Sequence, residues 1–164
     1  MFSLKQKKFL YGFTLIEVMI ASALVATVTI SFLSFAQRGL GLSSRSLRQV
    51  QATLLLEEGA EAVKTIRDAN WTNISGLTLN TTYYLSYNTS TNVWSLSTTL
   101  NDIDGVFTRT VVVDSVNRDS NDDIVASGGT TDTGTKKVTV TVSWYSAEGL
   151  NTKVLTLYIA DIFS

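Results

Sequence analysis

GFTLIEVMIASALVATVTISFLSFA, residues 12–36, is an apolar run carrying one charge, Glu17, near its start. About 20 apolar residues suffice for a helix to cross the hydrocarbon core of a bilayer, so this run is long enough to span one. A carboxylate inside such a run is costly in hydrocarbon and is retained for a function. Lys5, Lys7 and Lys8 precede the run and Arg38 follows it. That charge bias favours a cytoplasmic N-terminus with the bulk of the chain on the far side of the membrane. The stretch reads as the anchor of an exported chain.

Outward from this run, the 164 residues leave about 95 for one folded head beyond a long helical region, enough for a small core. Cysteine is absent, so no disulfide staples the head even in an oxidising compartment. Histidine is absent as well, which removes the commonest imidazole base, the Ser/His/Asp triad and most zinc sites. No nucleophile–base pair, glycine-rich phosphate loop or paired acid/base constellation stands out, so the chain reads as a non-enzyme. Asn70, Asn73, Asn80 and Asn88 each begin an Asn-x-Ser/Thr triplet, but a chain this rich in Thr and Asn produces such triplets by composition.

After Arg38 the pattern becomes amphipathic. Leu47, Val50, Leu54, Ala62 and Ile66, with Leu55 and Val63 beside them, recur at three- and four-residue spacings, which predicts a stripe able to cover a sheet. Arg45, Arg48, Glu57, Glu61, Lys64 and Arg67 are expected to face outward. A helix over residues 13–68 would run roughly 80 Å at 1.5 Å per residue. Gly39 and Gly41, after the β-branched stretch Thr27-Val28-Thr29-Ile30-Ser31, mark its weakest part and the expected place of a bend or local melting in a filament. Gly59 is either a further weak link or an allowance for close packing.

From Asn70 the period changes to two. Tyr83-Tyr84-Leu85-Ser86-Tyr87 and Val93-Trp94-Ser95-Leu96 read as a hairpin, residues 106–113 as a longer strand, and residues 138–145 and 154–159 as two more. About five mostly antiparallel strands are expected, with the helix stripe laid across one side. Between them, residues 114–136 read as a long polar connection. In it Asp119, Asn121 and Asp123 have the 1-3-5 spacing of a calcium loop. Ile124 stands where an EF-hand needs glycine, and Thr130 where it needs the bidentate Glu, so the motif is incomplete; no cofactor is expected, with calcium at Asp119, Asn121 and Asp123 as the weaker alternative. Lys136, Lys137 and Lys153 fall near strand ends, where together they would form a small basic patch for DNA or a surface.

The segment Gly12-Phe13-Thr14-Leu15-Ile16-Glu17 closely resembles the processing motif of the type IV prepilin family. The resemblance implies that a membrane-embedded prepilin peptidase cuts after Gly12 and methylates Phe13 as the new N-terminus. It implies four regions: a cleaved leader (1–12), a transmembrane and filament-core helix (13–38), the amphipathic half of that helix (39–69) and a globular β-sheet head (70–164). The implied fold is α+β, the pilin lollipop of a long N-terminal helix half embedded in an antiparallel sheet. Glycine at the cut leaves the scissile bond uncrowded. By the same resemblance, Glu17 is the assembly group, pairing with the N-terminal amine of a neighbouring subunit. Loss of Lys5, Lys7 and Lys8 leaves ten of the thirteen Lys and Arg against fourteen Asp and Glu, a balance unlike that of a general phosphate-backbone binder.

Within the family, the strings Arg109-Thr110-Val111-Val112-Val113 and Lys137-Val138-Thr139-Val140-Thr141-Val142-Ser143-Trp144 resemble minor pilins of the pilus-modification type and minor pseudopilins of secretion systems. Some of those pseudopilins bind calcium in a comparable region. Helix-kinking prolines and disulfide-bounded loops common among major pilins are missing here. The implied role is a structural minor subunit of a type IV pilus affecting initiation, length or adhesion. The alternatives are a minor pseudopilin of type II secretion or DNA uptake, or a head that binds DNA or a surface. Implied partners are the prepilin peptidase/methyltransferase, sibling pilin or pseudopilin subunits, the inner-membrane assembly platform and the lipid bilayer. The implied location is the inner membrane, with the head outside the cytoplasm.

Overall fold

A computed structural model describes residues 12–162; the expected leader, with Lys5, Lys7 and Lys8, lies outside them apart from Gly12. The chain divides into two compact units, Met1–Leu47 and Arg48–Ser164. One helix, α1 (Leu15–Ala69), begins in the first and ends in the second. The α+β class expected from sequence is observed: a long N-terminal apolar helix followed by an antiparallel sheet.

In the first unit every described residue is exposed in the single chain, and α1 holds an 18-residue window of mean hydropathy 2.1 with none of it buried. The hydroxyls within its apolar run are satisfied internally. Thr27 Oγ1 donates to Ala23 O, Thr29 to Val25 O, Ser31 to Thr27 O and Ser34 to Ile30 O, all at 2.8–2.9 Å. Polar side chains that bond the carbonyl one turn back present no unmet group to hydrocarbon. In the single chain the helix is unbroken through Gly39 and Gly41; the bend or melting expected there belongs to an assembled filament. The backbone ladder of α1 outweighs the propensity cost of two glycines, about 1 kcal/mol each.

The second unit packs the C-terminal half of α1 on a sheet. A short helix α2 (Thr72–Ser75) leads to β1 (Thr82–Asn88), β2 (Val93–Ser97), β3 (Asp102–Ile103), β4 (Phe107–Arg118), β5 (Ile124–Val125), β6 (Thr130–Ser146) and β7 (Gly149–Ala160). The order is β2-β1-β4-β6-β7, with β3 and β5 pairing β4, and every ladder is antiparallel. The alternation read between Val138 and Tyr145 is real: Val138, Val140, Val142 and Trp144 are buried toward α1 while Thr139, Thr141 and Ser143 face away. Residues 114–136 are not one connection. β4 continues to Arg118 past a bulge at Ser115/Val116, and β6 begins at Thr130.

The core-facing side of α1 also differs from the expected stripe. Ala62, Val63 and Ile66 are buried as expected, and Leu55 is partly so. Leu47, Val50 and Leu54, in contrast, are 59%, 54% and 58% exposed. The covering face is built from Ala52, Leu56, Gly59, Ala60, Ala62, Val63 and Ile66, whose many small side chains let the helix approach the sheet closely. Gly59 is the tightest point, where a Cβ would lie 2.9 Å from Val140 Cγ1 and 3.0 Å from Arg109 Cδ. Close packing is therefore the reason for this glycine.

Candidate processing and assembly site

Gly12, Phe13 and Thr14 precede the first helical residue. Nothing lies within 4 Å of where a Cβ on Gly12 would stand. Phe13 and Leu15 are 83% and 82% exposed. The Gly12–Phe13 peptide bond is thus uncrowded and outside the hydrogen-bonded ladder of the helix, the state in which a protease can bind it.

Immediately after it, Thr14 and Glu17 form a reciprocal cap. The Glu17 N–H donates to Thr14 Oγ1 at 3.4 Å, and the Thr14 N–H donates back to Glu17 Oε2 at 3.4 Å. The Thr14 hydroxyl also reaches Glu17 Oε2 at 3.5 Å, and Thr14 O accepts from the N–H groups of Glu17 and Val18 at 3.1 and 3.2 Å. This is the Thr-x-x-Glu capping box, in which the side chains at the two ends of the first turn satisfy each other's backbone donors. The side-chain bonds are long, so the carboxylate is held loosely and stays exposed. Sequence reasoning placed Glu17 in the first turn but missed its partner, although Thr14-Leu15-Ile16-Glu17 spells the motif.

Gly12, Phe13 and Glu17 therefore stand together at the start of α1. The calcium candidates Asp119, Asn121 and Asp123 are in the turn between β4 and β5, where the Asp119 carboxylate is already engaged. Its Oδ1 accepts the backbone N–H groups of Asn121 and Asp123 at 2.9 and 3.0 Å. Arg118 Nη1 donates to Asp122 O, and Arg118 Nε donates to Asp132 Oδ2, each at 2.7 Å. The guanidinium hydrogen bond is the main reason the Asp132 carboxyl is held down to about 2; the Thr135 hydroxyl and the Gly134 N–H add to it against burial. Arg118 is correspondingly raised, chiefly by the bond to Asp132. The turn is closed by its own cation, and among the described residues no three His, Cys, Asp or Glu side chains converge as a metal shell.

The three lysines do not gather. Lys136 is buried on the α1 side of β6, and Lys137, the next residue, points to the opposite face. Lys153 pairs with Val142 in register and donates to Thr53 Oγ1 on α1 at 2.6 Å. Val142 lies six residues along β6 from Lys136, about 20 Å at the rise of a strand. The basic patch is not formed.

A second polar feature escaped sequence reasoning. Arg109, only 4% exposed, lies under α1, donating through Nη1 to Glu58 Oε2 at 2.7 Å and to Leu55 O at 3.1 Å. Its guanidinium carbon stands 5.3 Å from the centroid of the Trp94 ring, within cation–π range.

Residues 11–33 match the family model of the prokaryotic N-terminal methylation motif, the type IV prepilin-like signal. No curated protein and no solved structure matches the chain.

Proposed function

We propose that this chain is a structural minor subunit of a type IV pilus. A prepilin peptidase removes residues 1–12 and methylates Phe13, and the helix that follows stays attached as anchor and as filament core. The observation that carries this reading is the first turn itself: an open Gly12–Phe13 bond, then Glu17 one turn inside an otherwise apolar and uncovered helix. The basic residues before that helix orient the sheet-bearing unit outside the cytoplasm. The absence of cysteine, and with it of a disulfide-bounded loop, supports the minor-subunit branch.

Glu17 acts as a register pin. In the single chain its carboxylate caps its own helix through Thr14. In a bundle of like helices it exchanges that loose bond for the cationic amine of a neighbour. A charge pair in hydrocarbon is tolerated where a lone charge is costly, so only the axial offset that brings amine and carboxylate together is stable. The sibling subunits and the inner-membrane assembly platform are the partners in that step.

Glu17→Gln and Glu17→Val are expected to leave processing intact, with Phe13 as the mature N-terminus, and to block incorporation into sheared filaments. Normal incorporation of either variant removes the register role. A mature product that keeps Met1, or is cut beyond Ala36, overturns the function.

A further inference from the structure

Four asparagines stand two residues before a Ser or Thr, and the fold treats them differently. Asn73 Nδ2 donates to Ile66 O at 3.4 Å. Asn80 has a φ of 56° and its N–H is bonded to Val113 O. Asn88 Oδ1 accepts the backbone N–H groups of Ser90 and Thr91 in the β1–β2 turn. Asn70 differs from all three: its Oδ1 accepts the hydroxyl of Thr72, its own plus-two residue, at 2.7 Å, and the Thr72 N–H at 2.9 Å. Asn70 is exposed, directly after the last residue of α1, with exposed Asp68 two residues before it. A cavity of about 470 Å³ lined by Asp68, Asn70, Trp71, Thr72 and Asp161 opens beside it.

We infer that Asn70 is an N-glycosylation site, its Nδ2 accepting an oligosaccharide from a polyprenyl-diphosphate carrier. An amide nitrogen is a poor nucleophile because its lone pair is delocalised into the carbonyl. Two donors on Oδ1 stabilise the negative charge that builds there as an Nδ2 proton is lost, the same physics by which preorganised donors stabilise an oxyanion. Nδ2 then attacks the anomeric carbon. The N–C bond forms, the C–O bond to the diphosphate breaks, and its electron pair leaves with the polyprenyl diphosphate. The Nδ2 proton passes to a carboxylate of the transferase, and nothing is oxidised or reduced. Asp68, two residues ahead of the acceptor, is already paired with the neighbouring Arg67 guanidinium, its Oδ1 accepting from Nε at 2.8 Å, so the argument for Asn70 rests on its own Oδ1 bonds. A glycan here adds bulk at the rim, since Asp68, Asn70 and Thr72 are all outside the helix–sheet core.

The inference rests on the proposed export of the head, because the glycan must be transferred outside the cytoplasm. The test is mass spectrometry of the full chain isolated from the envelope of its own host. The tryptic fragment that starts at Asp68 runs to Arg109 and holds all four asparagines, so electron-driven fragmentation locates the modification. A product starting at Phe13 with added sugar mass on Asn70 is expected; that mass is lost in Asn70→Gln and Thr72→Ala and kept in Thr72→Ser. A product starting at Phe13 with bare Asn70 overturns this inference and leaves the pilus reading standing. A product starting at Met1 overturns the pilus reading. Sugar on Asn88 in place of Asn70, or sugar retained in Thr72→Ala, overturns the argument from the hydroxyl bond.

Discussion

Glu58→Ala removes the carboxylate that meets Arg109 beneath α1 and leaves a guanidinium in the core with one carbonyl partner. A hydrogen bond to a charged group is worth about 1.5–3 kcal/mol. Glu58 is 48% exposed, and water screens its half of the pair, so the lower part of that range applies. Arg109 cannot follow it into solvent, because its stem is trapped against Gly59 and its head against Trp94. Its Nε, buried and already without a partner among the described residues, gains none. A loss of about 2 kcal/mol follows, or about 8 °C in Tm for a head of this size. Arg109→Met in the Glu58→Ala background fills the same space without a charge and is expected to recover most of it, because apolar replacement of a buried ion pair is often neutral or better. Thermal melts of the full chain in detergent micelles, followed by tryptophan fluorescence, read both. A Glu58→Ala melt equal to wild type, or a double variant no better than Glu58→Ala, refutes the reasoning.

Gly59→Ala would gain up to about 1 kcal/mol in an open helix, but its methyl lands against fully buried Val140, and overpacking costs about 1–3 kcal/mol. A lower Tm is expected; a higher one shows that the helix can back away from the sheet. Asp132 is depressed from 3.8 to about 2, so its contribution is complete above its ordinary value and fades as pH falls toward 2. Asp132→Asn should therefore melt below wild type at pH 5, with the gap closing by pH 2; a gap constant with pH contradicts the assignment. Millimolar calcium or a chelator is expected to leave the Tm of the chain unchanged, because Asp119 is already committed to its own turn. A rise in Tm with calcium would assign that turn to the metal.

What the sequence disclosed and what it hid follow from where water and hydrocarbon are. Strands β1, β2, β6 and β7 were legible because each covers one face more than the other, fully in β6 and partly in β2 and β7, so apolar residues alternate. The end of β4 and the start of β6 were not. Beyond the bulge they pair Asn117 with Thr131 and Arg118 with Thr130, polar against polar, and such a ribbon leaves no apolar period to read. Leu47, Val50 and Leu54 misled for the opposite reason: α1 carries apolar residues on a side its own sheet does not cover, and periodicity cannot say which of two faces is inside. At the processing and assembly site, Gly12, Phe13 and Glu17 were readable from adjacency alone, and the Thr14 cap was present in the same six letters. The Arg109–Glu58 pair joins residues 51 apart. Only the register of β4 against the helix brings them together.

That pair has company. Arg48 Nη1 donates to Tyr145 O at 2.9 Å, Lys153 to Thr53 Oγ1, and Arg109 to Leu55 O and Glu58. From residue 48 to residue 58, successive turns of α1 are clamped to β6, β7 and β4. Within the second unit, a pull along this part of the helix is shared among three strands and does not fall on one bond. Loss of any one of these bonds leaves two others tying the helix to its sheet.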